Sequence, residues 1–373
     1  MYHANTSLKS IIQSVQRLEV GSNEAAMLLF GEDSEIDFTQ MVDTLNALDI
    51  QFFGGLFPGI IYGEEKYTSG YILKKLPIKQ RPISIELGEE KNIDLSGLKD
   101  WIDSSQEKLT LLTFVDGLTA NIASYLERMY HFFGNRVNFI GGGAGSLSLV
   151  QKPCVFNNQG FFQDAAILCP VELNISLGVK HGWQKLVGPI VATKTDRNKI
   201  YELNWTKAFD LYKAEVENDG DHRITADNFF DIAKSYPFGI FREHGEDIVR
   251  DPIAVGDQGE LICVGEVPEN TVLYILKGER AALIDSAQRA MLESVSKAKQ
   301  QIAHTLVVDC ISRALFLEEE FPRELEQLSN SSIDQSNEAV PQGVLSLGEI
   351  SSYGGGVLEF YNKTLVVGSL YQE

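Results

Sequence analysis

Three polar residues near the carboxyl-terminal end of the chain have types and positions that could do chemistry. Cys310 and Arg313 lie at the end of the predicted strand His304–Cys310, and Glu349 follows the predicted strand Gly343–Leu347. An arginine just past a strand end can clamp a carboxylate with two parallel N–H donors. Glu349 is expected to face Arg313 or to receive a ligand ammonium. The plainer alternatives stay open: a surface arginine, a buried cysteine and a structural ion pair.

A run of glycines at Gly141, Gly142 and Gly143 is the second candidate feature, and it follows the predicted strand Val137–Ile140. Glycines at a strand end let another backbone or a ligand approach closely. A phosphate loop is excluded, because the GxxxxGK[ST] and GxGxxG patterns are absent. Two interpretations stay open. The run either packs the strand end tightly or forms a side-chain-free wall of a small-molecule pocket.

A cysteine nucleophile at Cys310 would need a base close to its sulfur. His304 lies six residues earlier at the start of the same predicted strand. That is about 20 Å away at the rise of a strand, so another histidine would have to approach in the fold. The histidines show no zinc-binding spacing and the acidic clusters show no EF-hand spacing, so we expect no metal and no cofactor.

Length and charge bound the class of protein. The chain has 373 residues, which favours two domains, and a formal net charge of −20. An acidic chain repels phosphate groups, so we expect no nucleic-acid partner and no anionic membrane partner. No apolar run is long enough to span a bilayer, no signal peptide is evident, and the four cysteines form no CxxC pair. We therefore predict a cytoplasmic protein.

The elements that would position these residues follow one repeated pattern. A strand–helix–strand–glycine–strand–strand order begins at Ala25, Leu109 and His304, with additional sequence between the second and third copies. Glycines recur at Gly54 and around Gly348. The pattern predicts a mixed α/β (α+β) fold, a layered sandwich of mixed or antiparallel sheets covered by helices and built from repeated β-α-β-β units. We place the domain division at 1–200 and 201–373, and a polar surface loop in the second half of the segment 318–342.

The order of several short motifs resembles a known pair of domains. The first part of the chain resembles the FIST N domain, and the last part resembles the FIST C domain. The FIST N motifs are the Phe139–Gly145 run, the Asn157–Gly160 turn, Gly182-Trp183, Ile200–Asn204, Ala208 and Tyr212. The FIST C motifs are Val308–Arg313, Gly343–Ile350 and Asn362–Val366. Lys207 departs from the family, which tends to have proline there.

The FIST family is named for F-box and intracellular signal transduction proteins. The resemblance implies a cytoplasmic sensory module, found in many bacterial proteins, that binds a small ligand such as an amino acid or a related carboxylate. It places a family-type ligand site at Cys310, Arg313, Glu349 and Asn362. A separate signalling protein, namely a kinase, cyclase or chemotaxis-type output, is the expected partner.

Three hypotheses about function follow. The leading one is a ligand-binding sensor rather than an enzyme. The first alternative is a hydrolase or transferase that uses Cys310 as its nucleophile. The second is a protein-interaction scaffold that docks its partners through the acidic segment 318–342.

Overall fold

The computed structural model describes residues 1–88, 95–98, 109–221, 223–243, 245–331, 340–352 and 358–372. It confirms a mixed α/β fold of mixed and antiparallel sheets, built on three repeats of one strand–helix–strand unit. We call these repeats the first, second and third modules. A further group of strands, which we call the barrel, is inserted within the third module.

The first module covers residues 2–77. Its parallel strands are joined by a helix, and a last strand returns antiparallel beside the first of the pair. As its spacing predicts, the joining helix buries Phe38, Met41, Val42 and Leu45, and the Asp37 side chain caps it. The elements are β1 (Tyr2–His3), α1 (Leu8–Arg17), β2 (Glu24–Gly31), α2 (Phe38–Ala47), β3 (Phe52–Phe57), β4 (Gly59–Tyr62), β5 (Glu65–Tyr67) and β6 (Tyr71–Pro77).

The second module covers residues 83–171 and repeats the same order. Its parallel pair is again joined by a helix, and its last strand again returns antiparallel beside the first. The predicted Asn157–Gly160 turn closes a two-strand hairpin. The elements are β7 (Ile83–Glu86), β8 (Leu109–Asp116), α3 (Ile122–Phe133), β9 (Val137–Ala144), β10 (Val155–Asn157), β11 (Gly160–Phe162) and β12 (Ala165–Val171).

The barrel, residues 184–277, follows the first strand of the third module. Its strands pair in a ring, because the first strand pairs with both the second strand and the last strand of the barrel. After β13 (Asn174–Lys180) come β14 (Gln184–Asp196), β15 (Lys199–Leu203), β16 (Thr206–Lys207), α4 (Ala208–Asp219), α5 (Phe229–Ala233), β17 (Phe238–Ile240), β18 (Ile248–Val255), β19 (Leu261–Val264) and β20 (Thr271–Lys277).

The third module resumes after the barrel. Two consecutive helices join its parallel pair, where the sequence predicted one helix followed by a polar loop. Residues 332–339 of that predicted loop, and the Gly354–Gly356 turn, lie outside the described residues. The elements are α6 (Arg280–Ser296), β21 (Ile302–Cys310), α7 (Ile311–Leu317), α8 (Phe321–Ser331), β22 (Pro341–Ser346), β23 (Glu349–Ser351), β24 (Glu359–Tyr361) and β25 (Leu365–Tyr371).

The three modules exchange hairpins in a ring. The hairpin β4–β5 pairs with β22 of the third module, β10–β11 pairs with β3 of the first, and β23–β24 pairs with β9 of the second. Each module therefore centres one six-stranded sheet with the same order: an edge strand, the returning strand, the parallel pair and a borrowed hairpin. The arrangement has pseudo-threefold symmetry, which the repeat in the sequence did not by itself reveal.

The sheets enclose one central hydrophobic core. Leu29 from the first sheet, Phe114 from the second and Val308 from the third belong to a single buried cluster. The outer faces are covered separately: α1 and α2 pack on the first sheet, α3 on the second, and α6, α7 and α8 on the third. The predicted layers of sheet and helix are thus wrapped around one core.

One glycine in each module makes this close packing possible. Gly54, Gly141 and Gly343 occupy equivalent positions on β3, β9 and β22, each opposite a residue of the neighbouring parallel strand. A Cβ on any of them would overlap the carbonyl oxygen of that residue. The third equivalent is Gly343, whereas the sequence suggested Gly348. Gly348 instead lies between two strands with φ of 119°.

Candidate functional site

Two of the residues predicted to form a site in the third module, Cys310 and Glu349, lie together inside the protein. Cys310 ends β21 and Glu349 begins β23, and both are buried. The Glu349 carboxyl contacts the Ser346 hydroxyl through Oε1 at 2.8 Å, and its Oε2 accepts from the Thr364 amide at 3.2 Å. Burial raises the pKa of Glu349 to about 8, although hydrogen bonds from Ser346, Cys310 and Thr364 oppose the rise.

The Cys310 thiol is poorly suited to be a nucleophile. Burial raises its pKa above the ordinary value, and the neighbouring Glu349 carboxyl raises it further. The amides of Ser312 and Lys363 act in the opposite direction without reversing the shift. Glu349, Ser312 and Lys363 are the groups that influence this thiol most, and none of them is a histidine. The geometry therefore favours an inert buried thiol.

Arg313 forms the predicted bidentate clamp, but the carboxylate it holds belongs to the same chain. Its Nε and Nη2 donate to the two oxygens of Glu324 at 3.1 and 2.8 Å. Its Nη1 donates to the carbonyl oxygen of His181 at 2.5 Å, and Nη2 also donates to that of Leu283 at 3.1 Å. Fully buried, the guanidinium ties α7 to α8, α6 and the segment after β13.

Asp309 completes this buried charged group. Its Oδ1 lies 3.2 Å from Nε of Arg313, but neither of its oxygens has a hydrogen-bond donor among the described residues. Burial raises the pKa of Asp309 well above its ordinary value, and the nearby Glu324 carboxylate raises it further against the attraction of Arg313. One cation therefore lies between two buried carboxyl groups, and Glu324 is the one that it holds with two hydrogen bonds.

Asn362 lies in a turn that joins the third module to the barrel. Its Nδ2 donates to the carbonyl oxygen of Tyr361 at 2.7 Å, and its Oδ1 has no hydrogen-bond partner in the described part of the chain. The next residue, Lys363, takes φ of 51° and pairs through Nζ with Asp251 of β18 at 3.1 Å. This turn links the Glu349 carboxyl, through the Thr364 amide, to the barrel.

The glycine run lies directly beside this polar group. Gly142 is in register with Glu349, and Gly141 is in register with Ile350. A Cβ on Gly142 would come within 2.8 Å of Val308 and 3.0 Å of Ser346. These glycines bring the second sheet against the third, which is the packing role. The pocket-wall role for Gly141, Gly142 and Gly143 stays a prediction.

A cleft of about 370 Å³ opens where β3, β8 and β9 end. It begins at Gly145, two residues beyond the glycine run, and Leu56, Leu118 and Val150 form apolar parts of its lining. Its polar lining consists of Glu32, Asp33, Asp116, Ser146, Ser148 and Lys152. This volume is within the range of small-molecule sites.

The cleft exists because one connection is much longer than its two equivalents. The crossing from β3 to β4 needs residue 58 alone, and the crossing from β22 to β23 needs residues 347–348. The crossing from β9 to β10 uses residues 145–154, which we call the long connection. Since the fold needs only one or two residues here, the remainder of the long connection is available to build a site.

Hydrogen bonds hold the long connection over the cleft at three points. The Gly145 amide donates to the Leu56 carbonyl at 2.8 Å, and the Leu147 amide donates to Oε2 of Glu32 at 2.7 Å. The Gln151 side chain donates to Oδ2 of Asp116 at 2.8 Å and to Oδ1 of Asp164 at 2.7 Å. The lining therefore combines the first module with the second.

Among the residues that line the cleft, Asp116 is the one that the sequence came closest to indicating. It ends β8 in register with Ala144, just as Cys310 ends β21 in register with Ser346. Its oxygens also accept from the amides of Leu118 and Asp164, so its hydrogen-bonding capacity is used within the chain. The sequence signal for Asp116 is its position at the end of a predicted strand, directly before Gly117. The other residues of the cleft lining carry no such signal.

Comparison with known protein families shows which family the chain belongs to. The FIST N domain matches residues 25–206, and the FIST C domain matches residues 208–352. The chain belongs to the FIST family. FIST domains are sensory domains of signal transduction. Comparison with curated proteins gives no match.

The two FIST domains are interlocked in this fold. The cleft lies within the FIST N match, whereas Cys310 and Glu349 lie within the FIST C match. The third sheet takes β4 and β5 from FIST N and β21 and β22 from FIST C. The division at residue 200 stays a prediction, and strands from both sides of it share one sheet.

None of the helices in the described ranges has the length and apolar character that crossing a bilayer requires. No set of three or more His, Cys, Asp or Glu side chains there is arranged to hold a metal ion.

Proposed function

We propose that this FIST protein is a cytoplasmic sensor that binds a small metabolite, an amino acid or related carboxylate, in the cleft. It passes the signal to a separate protein with a kinase, cyclase or chemotaxis-type output. The long connection carries this proposal. Its residues are superfluous for the strand crossing, and they form most of one wall of the cleft.

The charges of the cleft support an amino acid as the ligand. Glu32 and Asp33 can receive an ammonium group, and Lys152 can receive a carboxylate. The hydroxyls of Ser146 and Ser148 add donors and acceptors that can orient a small polar molecule. The predicted residues Cys310, Arg313, Glu349 and Asn362 are then the buried frame behind the site.

Packing behind the cleft supports transmission of the signal. Leu347 lies between Ser346 and Glu349 on the short crossing of the third module, and a Cβ on Gly145 would meet its side chain at 2.7 Å. The Leu347 amide donates to the Gly143 carbonyl at 2.8 Å. A ligand that moves the long connection therefore acts on FIST C through direct contacts.

A thermal-shift screen of amino acids and organic acids tests the proposal. A ligand that binds only the folded protein raises its melting temperature, by an amount that grows with concentration. The variant Ser148→Trp places an indole in the cleft at an exposed position, so it should fold and lose the shift. If no compound gives a shift, or Ser148→Trp responds like the parent protein, the cleft is not the site.

A further inference from the structure

We infer that the cleft is matched to a ligand with two cationic groups and one carboxylate, the charge pattern of a dibasic amino acid. The inference rests on the proposed function and adds the class of ligand to it. It follows from the charged groups of the cleft that are not already engaged by hydrogen bonds within the chain.

Two carboxylates at the cleft remain available to a ligand. Asp116 is almost fully buried, and the Leu118 amide, the Asp164 amide and the Gln151 side chain already donate to it. Glu32 accepts from the Leu147 amide through Oε2 alone, which leaves Oε1 available. Asp33 is exposed, and its carboxylate forms no hydrogen bond or ion pair within the described residues.

One cationic side chain of the cleft also remains available to a ligand. Lys152 belongs to the long connection, is exposed, and forms no ion pair with another residue of the described ranges. The cleft thus offers two acceptors for cations and one donor for an anion. A ligand that satisfies all three groups carries a net charge of about +1, as lysine, arginine and ornithine do at neutral pH.

The apolar lining suits the same class. Leu56, Leu118 and Val150 contribute to the cleft without being able to pair with a polar group. They can cover the methylene chain that separates the two cationic groups of a dibasic amino acid. A neutral amino acid would leave one carboxylate without a cation, and a diamine would leave Lys152 without an anion. Both omissions weaken binding because the ligand then forms one charged hydrogen bond fewer with the cleft.

Isothermal titration with matched compounds tests the inference. Lysine and arginine are compared with norleucine, which lacks the side-chain ammonium, with cadaverine, which lacks the carboxylate, and with glutamate. We expect lysine or arginine to bind about tenfold or more tightly than each of the other three, the difference that one charged hydrogen bond makes.

Variants assign each contact. Asp33→Asn should weaken lysine binding about tenfold because it removes one of the two carboxylates, whereas Lys152→Gln should weaken lysine binding but not cadaverine binding, because cadaverine has no carboxylate to pair with Lys152. Asp43→Asn on α2 and Lys9→Gln on α1 are exposed control substitutions outside the cleft lining, and neither should change binding.

The outcomes separate this inference from the proposed function. If norleucine or glutamate binds as tightly as lysine, and Ser148→Trp abolishes that binding, the cleft is the site but the charge assignment is wrong. The assignment also fails if lysine binds and Asp33→Asn has no effect. If no amino acid binds, or binding persists in Ser148→Trp, the proposed function fails together with the inference.

Discussion

The substitution Glu349→Gln should remove a pH dependence of stability that this carboxyl imposes. The Ser346 hydroxyl lies 2.8 Å from Oε1 of Glu349 and 3.3 Å from the carbonyl oxygen of Asp309. With a single proton, the hydroxyl can donate to the Asp309 carbonyl while accepting from a protonated Glu349. A glutamine amide can make the same donation and still accept from the Thr364 amide.

The expected magnitude follows from the pKa of Glu349, about 8 in the folded protein and 4.5 in its ordinary state. Because the folded protein holds the proton more tightly, this stabilisation is fully present below pH 4.5 and is lost as the pH rises through 8. Between pH 5.5 and 8.5 the loss is about 3 kcal/mol for a fully buried group. Glutamine cannot ionise, so the variant escapes this loss.

Urea unfolding of both proteins at pH 5.5, 7.0 and 8.5 measures the effect. The free energy of unfolding of Glu349→Gln, relative to the parent, should rise by about 3 kcal/mol across this range. Glu326→Gln on the exposed side of α8 is the control, and its difference from the parent should stay nearly constant. A difference for Glu349→Gln that is the same at pH 5.5 and 8.5 would refute a protonated Glu349.

Three further predictions concern the frame and the cleft. Arg313→Met leaves the Glu324 carboxylate buried without its cation and should cost about 3–5 kcal/mol in urea unfolding; a loss below about 1 kcal/mol would contradict this. Gly141→Ala forces a Cβ against a backbone carbonyl and should lower the melting temperature sharply, whereas Gly88→Ala, with 3.9 Å to its nearest neighbour, should change it little. Replacing residues 146–153 by two glycines should abolish any ligand-induced shift while the parent fold persists, and an unfolded product would make the long connection structural.

The repeated unit was predictable from the sequence because its signals are local. The spacing of Phe38, Met41, Val42 and Leu45 predicts α2, and the Asn157–Gly160 turn predicts its hairpin. Each signal lies within one helix or one pair of strands, where side-chain period and turn chemistry decide the structure. The exchange of hairpins between modules and the closed barrel depend on pairings between distant segments, for which a single sequence carries no comparable signal.

The candidate site was predicted in part, and the missing part has a physical cause. Glu349 was expected to face Arg313 or a ligand ammonium, but Arg313 holds Glu324, and Cys310 is the predicted residue that lies beside Glu349. Glu324, the partner of Arg313, lies within the predicted helix 314–328, but also in the acidic segment 318–342 that was considered as a docking element. The apolar spacing of Phe321, Leu325 and Leu328 was the signal for a helix there. The cleft lining comes from irregular connections, whose conformation is set by the structural elements that they join and pack against.

The pseudo-threefold symmetry explains why one strand end is open and another is closed. Asp116 and Cys310 occupy equivalent positions, opposite Ala144 and Ser346 respectively. In the third module a two-residue crossing brings Glu349 directly onto Ser346 and the Cys310 thiol, so polar side chains of the chain fill the space. In the second module the long connection carries the chain outwards before it returns at Cys154, and the space becomes a cleft.

This difference also places the cleft of FIST N beside the buried polar group of FIST C. The open and the closed strand ends are adjacent, because the Gly143 amide donates to the Gly348 carbonyl at 2.8 Å and the Leu347 amide donates back to Gly143. Glu349, the next residue, has one oxygen on the Thr364 amide, and the Lys363 side chain is paired with the barrel. Under the proposed function, a displacement at Gly145 would reach FIST C through these contacts, in which Gly143, Gly348 and Glu349 are buried and Leu347 is partly buried.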